Sequence, residues 1–173
     1  MVDDQGNNFP DGKREGFLPY MDVPSAVSAP FKLALNLDAP DEKQRIEGHG
    51  FEVVDAHEVA ATPLDYRAFI QHSIGEFSAA KPSYVKLKTS WMSDRTLCYL
   101  ASGKPCVVED TGPIEGLGQF DKGLYRFKDR EGAIQAMERV MADYKEERRA
   151  ARAICEELFD SQKVCHRILT LAL

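Results

Sequence analysis

The sequence predicts an α/β domain built on a mainly parallel sheet with helices on both faces. Three observations lead there. From residue 31 onward, short apolar runs bounded by turn residues alternate with segments of helical spacing. The runs are the length of buried strands, and strand, helix, strand is the signature of parallel pairing through right-handed crossovers. A chain of 173 residues, 43% apolar and 29% charged, is long enough to bury the core of one domain.

Residues 1–30 hold Gly6, Pro10, Gly12, Gly16, Pro19, Pro24 and Pro30 without a helical or strand period, and read as a linker or extended arm. The folded unit is expected over residues 31–173. FKLALNLD opens it as a strand, and Asp38, Ala39 and Pro40 form a turn. Residues 41–47 suit a helix stopped by Gly48 and Gly50, and FEVVD is the second strand. After Pro63, Leu64, Tyr66, Phe69, Ile70 and Ile74 recur at helical spacing until Gly75. EFSAAK reads as a third strand, and residues 82–91 as strand or loop.

Ser93 is a good N-cap, Asp94 favours a first turn, and Leu97, Leu100 and Ala101 form one stripe before Gly103 and Pro105. CVVED is a buried strand, residues 111–123 a glycine-rich loop and GLYRF a short strand. Three helices close the chain, with Ala133, Met137, Val140, Met141 and Tyr144 on one face. Ala151, Ile154 and Leu158 share the next, and Val164, Cys165, Ile168 and Leu169 the last.

A net charge of -6 offers no basic field for nucleic acid. No run approaches the ~20 apolar residues of a membrane span, and the opening lacks a secretory pattern, so a cytoplasmic protein is expected. Cys98, Cys106, Cys155 and Cys165 show no metal-ligand spacing and read as reduced core residues. His49, His57, His72 and His166 are isolated, so no metal is expected. Trp91 could stack on a base or sugar, although a lone Trp is more often a core or sheet-edge residue. KEERRAAR mixes both signs and reads as a solvated helix face.

In open parallel sheets, ligands sit beyond the carboxyl ends of strands, where helix N-termini aim N–H groups outward. The candidate binding residues are therefore Lys81, Ser90, Ser93, Asp94, Arg95, Asp110, Thr111 and Gly112. Lys81 and Arg95 would neutralise a diphosphate at the start of the helix, and residues 110–112 would line the nucleotide or sugar. Gly112 would let the backbone approach closely. Against this stands the ordinary reading, in which capped helices and strand-ending turns bind nothing.

LASGKPCVVEDTG resembles the A-x-G-x-P-V-V-x-x-D-x-G stretch in the C-terminal, donor-binding domain of GT-B glycosyltransferases. The terminal segment FDSQKVCHRIL, after an ER-R-A-A-R run, resembles the last helix of those enzymes. GEFSAAK, SWMSDR and CYLASGKPCVVEDTG are similar to a bacterial glycosyltransferase-like group. The resemblance implies a single Rossmann-like domain, half of a GT-B architecture, that binds a nucleoside diphosphate-sugar as donor substrate without a metal or other cofactor. Transfer would need a second, acceptor-holding domain, and an acceptor-domain partner chain or self-association would then be its macromolecular partners. The alternative is a non-catalytic nucleotide- or protein-binding module derived from that fold, which departures from the family pattern favour. Two glutamates of the best-known pattern fall on Ser90 and Cys98, neither a carboxylate.

Overall fold

The computed structural model describes residues 12–37, 39–114, 116–118 and 120–172. Strands β1 (Phe31–Leu35) and β2 (Phe51–Asp55) pair in parallel, with Phe31 opposite Phe51 and Leu35 opposite Asp55. Helix α3 (Pro40–Glu47) crosses between them. Strands β3 (Glu76–Ser78), β4 (Cys106–Glu109) and β5 (Leu124–Phe127) form a second parallel sheet in that order. The fold is α/β and its strand pairing is parallel. The expected single sheet is instead two, because an apolar run specifies that a strand is buried and not which strand lies beside it. The sheets meet through rings: Phe31 and Phe77 have centroids 5.8 Å apart, and Phe17 touches both Phe51 and Phe77 at 5.8 and 5.6 Å.

The expected arm is folded from residue 13. Helix α1 (Lys13–Phe17), a 3-10 turn at Leu18–Tyr20 and helix α2 (Val23–Ala26) precede β1. Tyr20, Val23 and Val27 are buried in one core with Val107, Phe127, Met137 and Val140. Gly16 lies so close to Ala80 that an added Cβ would stand 1.9 Å from its carbonyl oxygen. These helices are too short to display a 3.6-residue period, and Pro19 and Pro24, which look like breakers, occupy first-turn positions where proline costs nothing. Residues 1–11 of the expected arm lie outside the described residues.

Helix α4 (Ala56–Val59) and helix α5 (Pro63–His72) follow β2, α5 opening on a capping box between Thr62 and Asp65. Residues 82–91, read as strand or loop, contain helix α6 (Pro82–Lys86), again with proline in the first turn. Helix α7 (Asp94–Ala101) starts at the Ser93 cap as expected. Helices α8 (Arg130–Ala142), α9 (Tyr144–Leu158) and α10 (Ser161–Ala172) close the chain. Val107 and Phe127 face α2 and α8, whereas Cys106, Val108 and Leu124 face Ile70, Tyr99, Leu100, Ala151 and Ile154 of α5, α7 and α9. The second sheet thus carries helices on both faces.

The charge run on α9 is not simply solvated. Glu147 is buried, and its carboxylate accepts from Gly123 N–H at 2.6 Å and Tyr125 O–H at 2.7 Å. Arg148 and Arg152 donate to the carbonyls of Gly103 and Ala101, at the end of α7, where basic side chains satisfy the last carbonyls. Nor do the cysteines all reach the core: Cys106 is buried, Cys155 half-buried, and Cys98 and Cys165 exposed. The apolar stripe of α10 stays in water, with Met141 on α8 exposed as well. Among the described residues no helix is long and apolar enough to cross a membrane.

Candidate functional site

Two loops leave the carboxyl ends of β3 and β4 and meet. The first carries Lys81 into α6 and returns through residues 87–93 to α7; the second is residues 110–114. Ser90 N–H donates to the Thr111 carbonyl at 2.9 Å, Ser90 Oγ donates to the Pro113 carbonyl, and Thr111 Oγ1 donates to the Trp91 carbonyl at 2.6 Å. Lys88 and Ser90 sit at φ 49° and 60°, a left-handed conformation that costs a non-glycine residue energy and persists because the surrounding bonds hold it.

Gly112, at φ 105°, answers this geometry. A Cβ there would lie 2.8 Å from Lys88 Cβ, so the glycine admits the neighbouring loop; the structure puts that loop where a close-approaching ligand was expected. Asp110 pairs with Arg126 at 2.6 Å and accepts from Gly112 N–H at 3.1 Å, while Arg126 also donates to the Gly112 carbonyl. Thr111 is buried. Ser90, Asp110, Thr111 and Gly112 are therefore brought together as one internal knot.

At the start of α7, Ser93 Oγ and Asp94 Oδ1 both accept from Arg95 N–H, at 3.3 and 2.8 Å. Asp94 thus takes a first-turn donor that an incoming anion would otherwise use. The Arg95 side chain turns the other way. Its Nε donates to Glu76 Oε1 and one terminal nitrogen to Ser78 Oγ, each at 2.8 Å. Burial opposes the guanidinium charge, and the Glu76 carboxylate outweighs it, so the Arg95 pKa is raised. A first-turn arginine expected to face a diphosphate is instead tied to the sheet.

Lys13 joins the same corner, its Nζ 3.4 Å from Ser78 Oγ. Burial of that ammonium end, then repulsion from Arg95, lowers its pKa to about 8, with Glu76 pulling the other way. The residue as a whole is exposed, so the effect belongs to the end packed beside Ser78. Glu76 is 5% exposed, and its Oε2 has no hydrogen-bond partner. Lys81 lies on the loop after β3 with its ammonium 5.7 Å from the Tyr84 ring centroid. Trp91 is exposed and packs on Tyr84, centroids 5.1 Å apart.

Ser93 and Arg95 line a large cavity between the two sheets; on the loop side, Ser93 also borders a small crevice with Trp91, Thr111 and Arg126. Sequence reasoning missed Glu76, Ser78, Lys13 and Arg126 as members of this region. A signal existed for two of them. Glu76 opens β3 and Arg126 lies within β5, and a charge in a largely buried strand demands a partner. No family profile and no curated relative matches the chain.

Proposed function

We propose that the chain is the nucleotide-diphosphate-sugar-binding domain of a glycosyltransferase, a Rossmann-like half that needs a second, acceptor-holding domain for transfer. One observation carries the reading: the loops after β3 and β4 lie side by side at the strand ends with α7 starting between them. That is where α/β sheets hold phosphorylated ligands. The sequence resemblance spans the same segment. Lys81, on the loop after β3, and the start of α7 are the groups assigned to the diphosphate, and Asp94 to a sugar hydroxyl. Trp91 offers an exposed aromatic face to the base or sugar.

Calorimetry with UDP, GDP and dTDP against the matching nucleosides tests this. The diphosphates should bind more tightly, and Lys81→Ala should weaken them by about 1.5–3 kcal/mol, the size of a charge-assisted contact, without affecting the nucleosides. Equal affinity for nucleoside and diphosphate would refute the site. The chain alone should transfer no sugar at a useful rate, because donor and acceptor must be held in reacting geometry. Efficient glycosylation of an acceptor by the isolated chain would refute the need for a second domain.

A second reading has its own support. The polar groups of Ser93, Arg95, Asp110 and Thr111 are engaged within the protein. A module derived from the same fold that has lost the chemistry would look like this, and failure of every diphosphate to bind would favour it.

A further inference from the structure

Between Ser78 and Asp94 the chain carries three lysines, Lys81, Lys86 and Lys88, and no acidic residue, in a protein of net charge -6. This stretch leaves the carboxyl end of β3, forms α6 and returns to the cap of α7. Its two aromatic residues, Tyr84 and Trp91, meet with ring centroids 5.1 Å apart. Lys81 Nζ lies 5.7 Å from the Tyr84 centroid, so one ring neighbours both a cation and the indole. Tryptophan is on average a well-buried residue, yet Trp91 is 40% exposed.

The exposed indole is held in place. Its backbone carbonyl accepts from Thr111 Oγ1 at 2.6 Å, its neighbour Ser90 donates to the Thr111 carbonyl, and its ring rests on Tyr84. A ring fixed in this way loses little freedom when something stacks on it. The polar side chains around it are engaged elsewhere: Ser90 Oγ donates to the Pro113 carbonyl, Ser93 Oγ to Asp94, and Asp110 is paired with Arg126. A sugar is recognised through hydroxyls, each of which needs a hydrogen-bonding partner. A base presents a π face, which needs only a flat aromatic surface. Trp91 offers aromatic area beside positive charge with little hydrogen bonding to spare, and that suits a base.

We propose that the Tyr84–Trp91 pair is a stacking platform for the base of a nucleotide, and that it favours purines over pyrimidines by stacking area without reading the base edge. The inference rests on the nucleoside-diphosphate reading above and assigns Trp91 to the base instead of the sugar. Two consequences follow from the chemistry. Guanine and adenine differ only in their edge groups, so GDP and ADP bind alike. The larger ring system stacks more strongly, so both bind more tightly than UDP or dTDP.

Trp91 is the only tryptophan of the chain, so its fluorescence reports on the platform directly. Guanosine and adenosine should quench it alike, at concentrations several-fold below those uridine needs, and glucose should not quench it. In calorimetry, Trp91→Ala should weaken GDP about tenfold and leave inorganic pyrophosphate unchanged, while Trp91→Tyr should keep most of the GDP affinity. Quenching by nucleosides in a chain that fails to bind pyrophosphate would support the platform and sink the diphosphate reading. Absence of quenching by nucleosides overturns the platform, and pyrophosphate binding would then leave the diphosphate reading standing. Quenching by glucose, tenfold discrimination between guanine and adenine, tighter binding of uridine, or equal loss of GDP and pyrophosphate in Trp91→Ala also overturns the proposal.

Discussion

Arg95 Nε lies 2.8 Å from Glu76 Oε1, and this contact joins the first turn of α7 to the start of β3 through a carboxylate that is almost wholly buried. Removing the cation leaves that carboxylate without its counter-charge. Arg95→Ala should therefore destabilise the protein by about 3 kcal/mol, the lower part of the range for breaking a buried pair, because Arg95 itself is a third exposed. Glu76→Gln, which keeps an acceptor, should cost less. Denaturant unfolding of both variants checks the order. If Arg95→Ala unfolds like the wild type, the pair has no structural weight and Arg95 returns to the list of ligand groups.

Gly112 and Gly118 provide a matched comparison. Gly112 has φ 105° and Lys88 within 2.8 Å of a built Cβ, whereas a Cβ on Gly118 meets nothing within 4 Å. Gly112→Ala should cost about 1–3 kcal/mol and disturb the Ser90–Thr111 contact, while Gly118→Ala should stay within about 0.5 kcal/mol of the wild type. Thermal unfolding distinguishes them, and comparable losses at both positions would refute the loop-packing role of Gly112.

Stability should fall above pH 10. Burial raises the Tyr66 pKa to about 12, and burial together with bonds to Glu109 and Glu147 raises Tyr20 and Tyr125 further. Unfolded tyrosine loses its proton near pH ~10, so between that point and 12 the native state holds more protons and each pH step favours unfolding. Lys13 has the opposite sign. Its pKa, lowered to about 8, leaves the unfolded state with more bound proton above that pH, a small gain that ends near the free-lysine value. Melting temperature followed from pH 7 to 12 beside phenolate absorbance should show this decline, and Tyr66→Phe should flatten it. Six tyrosines ionising together near 10 with no fall in melting temperature would contradict it.

Local signals were legible wherever one segment carried its own instruction. Ser93 followed by Asp94 announces the start of α7, and FEVVD and CVVE, apolar runs between turn residues, announce strands. The short helices around Pro19, Pro24 and Pro82 were hidden, because proline in a first turn and proline in a loop are the same letter. In the candidate site, the sequence indicated the two loops and the capped helix but not the direction of their side chains. Arg95 could face solvent or the sheet from the same first-turn position, and Glu76, nineteen residues earlier, decides.

The sequence by itself therefore determined the α/β class, the strand segments and the cap that opens α7, since each follows from spacing and residue type within a few positions. Only the tertiary structure decided that residues 13–27 belong to the core, that Glu147 is a buried clamp, and that β1 and β3 lie in separate sheets instead of pairing. Those outcomes depend on partners far apart in the chain, as Gly16 against Ala80 or Glu147 against Gly123. Periodicity reports which face of an element is apolar; the choice among buried partners is made by shape and hydrogen-bond satisfaction once the elements pack.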